Sequence, residues 1–378
     1  MIPYRRCTRC IMDTTDPWIE FDESGVCNHC RGYDALVARM LPPADVARFE
    51  LERVVTDIKR AGVGKPYDCV VGVSGGVDST YVAYLVKELG LRPLAVHLDN
   101  GWDSELAVGN IEKVLNHLGI DLHTHVLDWD EFKDLQIAFL KASVPDGEIP
   151  TDHAIAAVIY QTAVKLGIKY VISGSNIVTE GILPIRWTYG IQDWSYIRGI
   201  HRQFGKKNLA TFPHMDLLAR ANYNLIRRIV TVRILNMIPY NKAEVMQVLQ
   251  EQLGWKYYGG KHYESIYTRF FQGYILSRKF NIDKRLAHFS TLICSGQMTR
   301  EQALAEMQND AYPAEFQRAD YEYVLKKFEF PPDELETILS APAKAFTDYP
   351  NQYLLMQKLK SLMKVAQRFG LMKGNTSL

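Results

Sequence analysis

The segment from residue 67 to residue 89 constrains this chain more than any other. Tyr67-Asp-Cys-Val-Val-Gly-Val73 is a short apolar run of the kind that forms a strand buried on both faces. Ser74-Gly75-Gly76-Val77-Asp78-Ser79-Thr80 follows at once, and Tyr81-Val-Ala-Tyr-Leu-Val-Lys-Glu-Leu89 then reads as a helix. A strand, a Ser-Gly-Gly turn and a helix start together make an anion site. The glycines remove Cβ atoms so that backbone N–H groups can close on phosphate oxygens, and the helix N-terminus adds partial positive charge. Ser74 and Ser79 can donate to the same oxygens, while Asp78 can hold a magnesium ion or cap the helix. The lysine and spacing of the G-x4-G-K-[ST] phosphate loop are missing.

The βα rhythm continues downstream. Strands are predicted at 93–98, 122–127, 169–172 and within 225–235, with helices near 104–117, 130–142 and 152–166 between them. Alternation of this kind predicts an α/β fold with a doubly wound parallel sheet and ligands at the C-terminal strand ends. Three such ends carry polar, turn-prone residues: Ser74-Gly75-Gly76, Asp99-Asn100-Gly101 and Gly174-Ser175-Asn176. Asp99, Gly174 and Asn176 therefore join Ser74, Gly75, Gly76, Asp78 and Ser79 as candidate nucleotide-binding residues.

Four of the six cysteines fall within the first thirty residues, as Cys7-x2-Cys10 and Cys27-x2-Cys30 with sixteen residues between the pairs. Each pair lets two thiolates converge on one ion, and Trp18-Ile19-Glu20-Phe21 followed by Asp22-Glu23-Ser24-Gly25 reads as a strand and hairpin turn. This predicts a structural zinc site of four thiolates in a module at 1–40, with the metal replacing a core too small to form alone. From Met1 to Tyr33 there are four Lys/Arg against five Asp/Glu, so the module is not a basic reader of nucleic acid. The whole chain of 378 residues is equally balanced, with 44 Lys+Arg against 43 Asp+Glu, which argues against bulk electrostatic attachment to nucleic acid or an anionic membrane. An apolar run long enough for a bilayer or for a signal peptide is missing from the sequence, which predicts a cytoplasmic protein.

Ser74 to Ser79 resembles the PP-loop signature SGG-x-D-S of ATP pyrophosphatases that form adenylates, among them asparagine, GMP and NAD synthetases and several tRNA-modifying enzymes. The resemblance implies ATP and Mg2+ as cofactors. Ile238-Pro-Tyr240-Asn241-Lys242-Ala-Glu-Val resembles the Lys-x-Glu-Val helix start of GMP and NAD synthetases, where a lysine faces the pyrophosphate, and Lys242 is the candidate for that charge.

The two cysteine pairs ahead of a PP-loop, with Asp99-Asn-Gly-Trp-Asp-Ser-Glu-Leu and Gly259-Gly-Lys-His-Tyr-Glu-Ser265, narrow the resemblance further. Together they look like the N-acetyl sugar amidotransferases of surface-polysaccharide (O-antigen, lipopolysaccharide) biosynthesis, the WbpG/PseA-like family. That resemblance implies adenylylation of an acetamido oxygen, displacement of AMP by ammonia, and an acetamidino product. It also implies separate glutaminase and cyclase-like subunits as suppliers of ammonia. The residues agree on one point, since neither an N-terminal nucleophile (Ile2 stands there) nor a nucleophile-elbow glutaminase domain is present.

The acceptor segment is placed at 255–285, where seven Lys/Arg, two Asp/Glu and nine aromatics suit a nucleotide-diphosphate sugar, the N-acetyl sugar substrate that the resemblance implies, and would also suit single-stranded RNA. Within it His262 and Glu264 are the candidate acid–base or hydroxyl-binding residues, and Asp152-His153, after Pro150, is a secondary pair. Trp187, Trp194 and Arg198 are placed in a lid over either ligand. The expected organisation is thus a zinc module at 1–40, a PP-loop domain at 41–254 and a helical region at 255–378. That region includes a capping box at Thr299–Gln302 and an amphipathic helix from Tyr353 to Phe369. The alternative is a PP-loop enzyme that adenylylates a tRNA base. The neutral charge, the acidic zinc module and the lack of a cysteine in the loop after the fourth strand stand against it.

Overall fold

The structure is a computed structural model that describes residues 3–331 and 333–368. Five parallel strands form its centre: β1 (Cys69–Gly72), β2 (Pro93–Asp99), β3 (Asp121–Val126), β4 (Tyr170–Ser173) and β5 (Val230–Arg233), in spatial order β3-β2-β1-β4-β5. Successive side chains of a strand point to opposite faces, and here both faces are apolar. Val70, Leu94, Val96 and Val171 enter one core, and Cys69, Val71, Ala95 and Ile172 enter the other. Cys69 is fully buried and burial pushes its thiol up to about 12, so it acts as a small hydrophobe. β3 is an edge strand with a mostly exposed polar face, which discourages pairing with another chain.

Helices Val77–Glu88 and Glu105–Leu118 carry the chain from β1 to β2 and from β2 to β3, and pack with Ala44–Ala61 and Lys242–Leu253 on one face. Helices Trp129–Lys141 and Ile149–Lys165 cover the other. The order of connection reverses at β1: β2 and β3 lie on one side of it, β4 and β5 on the other. Such a switch point leaves a crevice outside the strand ends where no connecting loop crosses. Ser74–Gly76 follows β1 and Gly174 follows β4, so both border that crevice.

The N-terminal module packs into the same core as the C-terminal helices. Cys7, Cys10, Cys27 and Cys30 are fully buried, and their sulfurs all lie within 4.8 Å of one another. The Cys7–Cys30 and Cys10–Cys27 distances are 3.8 and 3.7 Å. Four sulfurs at zinc–thiolate bond length on a tetrahedron stand about 3.8 Å apart, so the donor set fits zinc. Backbone N–H groups of Cys27 and Met12 donate to the sulfurs of Cys7 and Cys10 at 3.2 and 3.4 Å, as suits thiolates. Arg300 ties the module down by donating to the Cys7 and Cys10 carbonyls, both at 3.1 Å.

The strand expected at 18–21 does not form. Only an isolated antiparallel bridge, Phe21 to Cys27, spans the Asp22–Gly25 turn, because the cysteine knuckles fix the backbone on both sides. Further along, the Thr299–Gln302 capping box is present. The last helix is Tyr353–Arg368, and Phe369 lies outside the described residues. No described helix is long and apolar enough to cross a membrane.

Protein prepared without chelator is expected to hold about one zinc per chain. Cys27→Ser is expected to lose the metal and lower the melting temperature. Elemental analysis of folded, metal-free wild-type protein would refute the four-thiolate site.

Candidate functional site

The β1–helix turn owes its shape to two glycines and two serines. Gly75 has φ +76°, and a Cβ there would stand 2.6 Å from the Ala107 carbonyl oxygen, so no other residue fits. The Ser74 N–H donates to Ser79 Oγ at 3.2 Å, and the Gly76 N–H to Ser74 Oγ at 3.3 Å. Gly174 closes the other wall: a Cβ there would lie 3.3 Å from the Asp78 carbonyl.

Across the turn stand residues far away in sequence. A Cβ on Gly76 would meet Glu264 Oε1 at 3.2 Å and the Tyr258 hydroxyl at 3.4 Å, so the Gly259–Ser265 segment presses directly on the phosphate turn. Its position is set by backbone pairing. The Ser104 N–H donates to the Glu264 carbonyl at 2.8 Å, and the Ile266 N–H to the Trp102 carbonyl at 2.9 Å. Trp102 is fully buried among Trp129, Tyr267 and Phe328, with its indole N–H on Gln136 at 2.7 Å. His97 joins the two strand ends to this unit: Nδ1 faces the Val73 carbonyl at 3.0 Å and Nε2 faces Asp103 at 3.2 Å.

The cleft between these walls carries mixed charge. Burial pushes the Asp78 carboxyl up and Glu180 adds to the effect, against Lys242, the hydroxyl of Tyr240 that donates to it, and Lys261. Burial pushes Lys242 down, and neighbouring Lys261 pushes the same way. Lys261 Nζ stands 3.7 Å from Glu180 Oε1 and 3.4 Å from His288 Nδ1. His288 is buried down to about 2 and stays neutral. His262 has φ +64°, an uncommon conformation for a residue with a Cβ and one often found at functional sites. Its Nδ1 lies 3.5 Å from Glu264 Oε1. Burial raises Glu264, but His262, a backbone N–H and the Tyr258 hydroxyl together hold it below its ordinary value. Glu264 Oε2 is buried with no protein partner.

Ser74, Gly76, Asp78, Ser79, Gly174, Lys242, His262 and Glu264 thus line one cleft, with Gly75 shaping the turn. Asp99 and Asn176 are engaged elsewhere. Asp99 Oδ1 accepts from the Gly101 N–H at 2.8 Å, and Asn176 caps the short helix Ile177–Glu180 through the Thr179 N–H at 2.9 Å. The lid also fails to form. Trp187 is buried in the core, Trp194 stacks on His153 and His214, and Arg198 is exposed on the helix Trp194–Phe204. His153, with its ring between the Ile191 carbonyl (2.6 Å) and the Met215 N–H (3.1 Å), is structural. Tyr240, Tyr258, Lys261 and Glu180 enter the site without having been singled out in the sequence.

Residues 264–363 match the model of the LPS biosynthesis protein WbpG-like C-terminal domain. The chain is similar to the uncharacterized protein MJ1599 of Methanocaldococcus jannaschii, 28% identical over 196 residues, or 48% of this chain and 66% of that protein. It is also similar to the tRNA-specific 2-thiouridylase MnmA of Helicobacter hepaticus, 32% identical over 112 residues, or 27% of this chain and 32% of that protein. The chain therefore spans less than two thirds of the length of either relative. Among solved structures, NMN synthetase from Francisella tularensis aligns over 75% of this chain and 97% of its own, at 14% identity and a TM-score of 0.30.

Gly76→Val would drive a branched side chain into Glu264 and Tyr258. It is expected to weaken ATP binding more than about tenfold, a cost above about 1.4 kcal/mol, without lowering the melting temperature. Asp99→Ala, which removes only a turn contact, should stay within about twofold in calorimetric titration. The reverse ranking would move the nucleotide site away from the turn.

Proposed function

We propose that the protein is an ATP-dependent, AMP- and pyrophosphate-forming amidotransferase. It converts the acetamido group of a nucleotide-linked N-acetyl sugar to an acetamidino group, in the assembly of a surface glycan. The observation that carries this reading is the contact of Glu264 and Tyr258 with Gly76. Glu264, the first residue of the segment that matches the WbpG-like model, stands against the turn after β1, which supports a reading in which acceptor and nucleotide share one cleft.

The chemistry asks for what the cleft offers. An amide carbonyl is a poor electrophile, and moving AMP onto its oxygen creates a leaving group. The protein must align that oxygen with the α-phosphorus and neutralise the departing pyrophosphate. The turn amides and the Ser74 and Ser79 hydroxyls suit the phosphates, and Lys242 and Lys261 suit the pyrophosphate charge. Asp78 and Glu180 are the carboxylates able to hold Mg2+, which binds through one or two carboxylates plus phosphate oxygens and spreads the charge of the polyphosphate. The His262–Glu264 pair sits where the acceptor meets the α-phosphate and orients the acetamido group. Ammonia comes from solution or from separate glutaminase and cyclase-like subunits.

The match to a thiouridylase raises a second reading, adenylylation of a tRNA base. Sulfur transfer through the protein needs a reactive cysteine at the site. The described cysteines are four in the metal cluster, Cys69 inside β1, and Cys294 beside Cys30 at 3.7 Å. None of them lines the cleft.

Glutamine alone is expected to support no product, whereas a high ammonium concentration should, with one ATP cleaved to AMP and pyrophosphate per sugar. Mass spectrometry should find a product lighter by the difference between O and NH, and electrophoresis should find it carrying an added positive charge. AMP formation that requires tRNA and ignores every UDP- and CMP-linked N-acetyl sugar would overturn the proposal.

A further inference from the structure

A fifth sulfur touches the four-cysteine cluster from outside. Cys294 Sγ lies 3.7 Å from Cys30 Sγ, the separation also found inside the cluster between Cys10 and Cys27. Cys294 is not a fifth ligand, because the sulfurs that all converge within 4.8 Å of one another are those of Cys7, Cys10, Cys27 and Cys30. The fold fixes the contact. Cys294 ends the helix Lys284–Cys294, and Ser290, one turn earlier on the same face, accepts the Ile11 N–H at 3.2 Å. Exposure separates the five sulfurs. The four cluster cysteines are each 0% exposed, whereas Cys294 is only half-buried, so a small oxidant in solution reaches Cys294 first.

The chain after Cys294 leads to the cleft. The Gln297 N–H donates to the Leu292 carbonyl at 2.8 Å and closes the turn that ends the helix. The Gln297 side chain then holds the approach to Lys242 at two points. Its Nε2 donates to the Tyr240 carbonyl at 3.1 Å, and its Oε1 accepts the Lys242 N–H at 3.1 Å. The Tyr240 hydroxyl donates to Asp78, and Lys242 lines the cleft. Cys294 thus stands three residues before the side chain that places two groups of the candidate nucleotide site.

We propose that Cys294 is a site of oxidation by peroxides, and that this oxidation yields a Cys30–Cys294 disulfide that opens the four-thiolate site and loosens the cleft. The proposal goes beyond the amidotransferase reading and does not depend on it. The Cys294 sulfur attacks one peroxide oxygen. An S–O bond forms, the O–O bond breaks, and the leaving hydroxide takes the thiol proton to become water. The Cys30 sulfur then attacks the Cys294 sulfur. The S–S bond forms, the S–O bond breaks, and the hydroxide leaves as water with a proton from Cys30 or, where a metal has displaced that proton, from solvent. Two sulfurs lose two electrons in all, and one peroxide becomes two water molecules. A structural zinc site is closed by four ligands. With Cys30 withdrawn three remain, and the metal that this donor set fits is released.

The test treats full-length protein, as purified, with hydrogen peroxide. A chromogenic chelator follows metal release, and peptide mapping without reductant follows disulfides. In wild type the first disulfide should join Cys30 to Cys294, with metal released in step. Cys294→Ala should keep the wild-type metal content and melting temperature, and should release metal at least about tenfold more slowly. Oxidised wild type should bind ATP about fivefold or more weakly, and should recover after dithiothreitol and added zinc. Cys294→Ala at the same peroxide dose should keep its ATP affinity. A first disulfide within Cys7–Cys10 or Cys27–Cys30, or equal metal release from both proteins, would overturn the proposal. So would loss of metal from untreated Cys294→Ala and Cys294→Ser alike, which would make Cys294 part of the metal site. Unchanged ATP affinity after complete Cys30–Cys294 formation would overturn the link to the cleft. Where the purified chain holds no metal, the disulfide map alone decides.

Discussion

The site depends on a few backbone hydrogen bonds between chain segments about 160 residues apart. Residues 102–104, leaving β2, pair antiparallel with 264–266, so that Asp103 faces Ser265. Two interstrand bonds are worth only about 1 kcal/mol each on balance, but here they are shielded by the buried aromatic cluster around Trp102. Lys327 adds a donor to the Gly101 carbonyl and lies 4.8 Å from the Trp102 and Trp129 rings. Because β2 belongs to the sheet, the pairing transmits the sheet's rigidity to Glu264, which stands against Gly76. Precise placement of an acceptor over a phosphate is what a rigid scaffold supplies and a mobile loop does not.

The N-terminal four-cysteine module contributes to the same end. It is too small to hold a core of its own, and four converging thiolates are its substitute. What it covers is informative: the Ile11 N–H donates to Ser290 Oγ at 3.2 Å and Arg300 caps the knuckle carbonyls. The helix Lys284–Cys294 is therefore clamped at its C-terminal part by the metal module, while Lys284 at its start pairs with Glu148. Metal site and cleft share one rigid helix. This gives the module a positioning role that its acidic surface, unsuited to nucleic acid, leaves open.

Much of this was legible because the signals are local. Apolar runs of strand length and glycines at a strand–helix junction carry their meaning in a few residues, and all five strands and the phosphate turn follow from them. Asp99 and Asn176 show the limit of local reading: a polar residue at a strand end serves a ligand or its own turn, and the sequence looks the same in both cases. Trp187 and Trp194 fail for a related reason, since aromatic residues in an irregular stretch suit a lid and a core equally well. Glu180 had no local signature, and Tyr240 was legible only as part of the approach to Lys242. Their place in the cleft arises only when the end of β4 and the entry to the Lys242 helix meet around Asp78.

The cleft of this nearly neutral protein carries charges of both signs. Lys242 is pushed down by burial and by Lys261, and Asp78 is pushed up by burial and by Glu180. Burying a charge is costly, and each of these groups has a like charge as well as an opposite one for a neighbour: Asp78 and Lys242 oppose each other's shifts, and Lys261 stands 3.7 Å from Glu180. A polyphosphate between the two lysines reverses the first repulsion, and a divalent cation between the two carboxylates reverses the second. Either ion alone corrects half of the imbalance. On the proposed reading a metal–polyphosphate complex would meet both, the metal at Asp78 and Glu180 and the phosphates at Lys242 and Lys261.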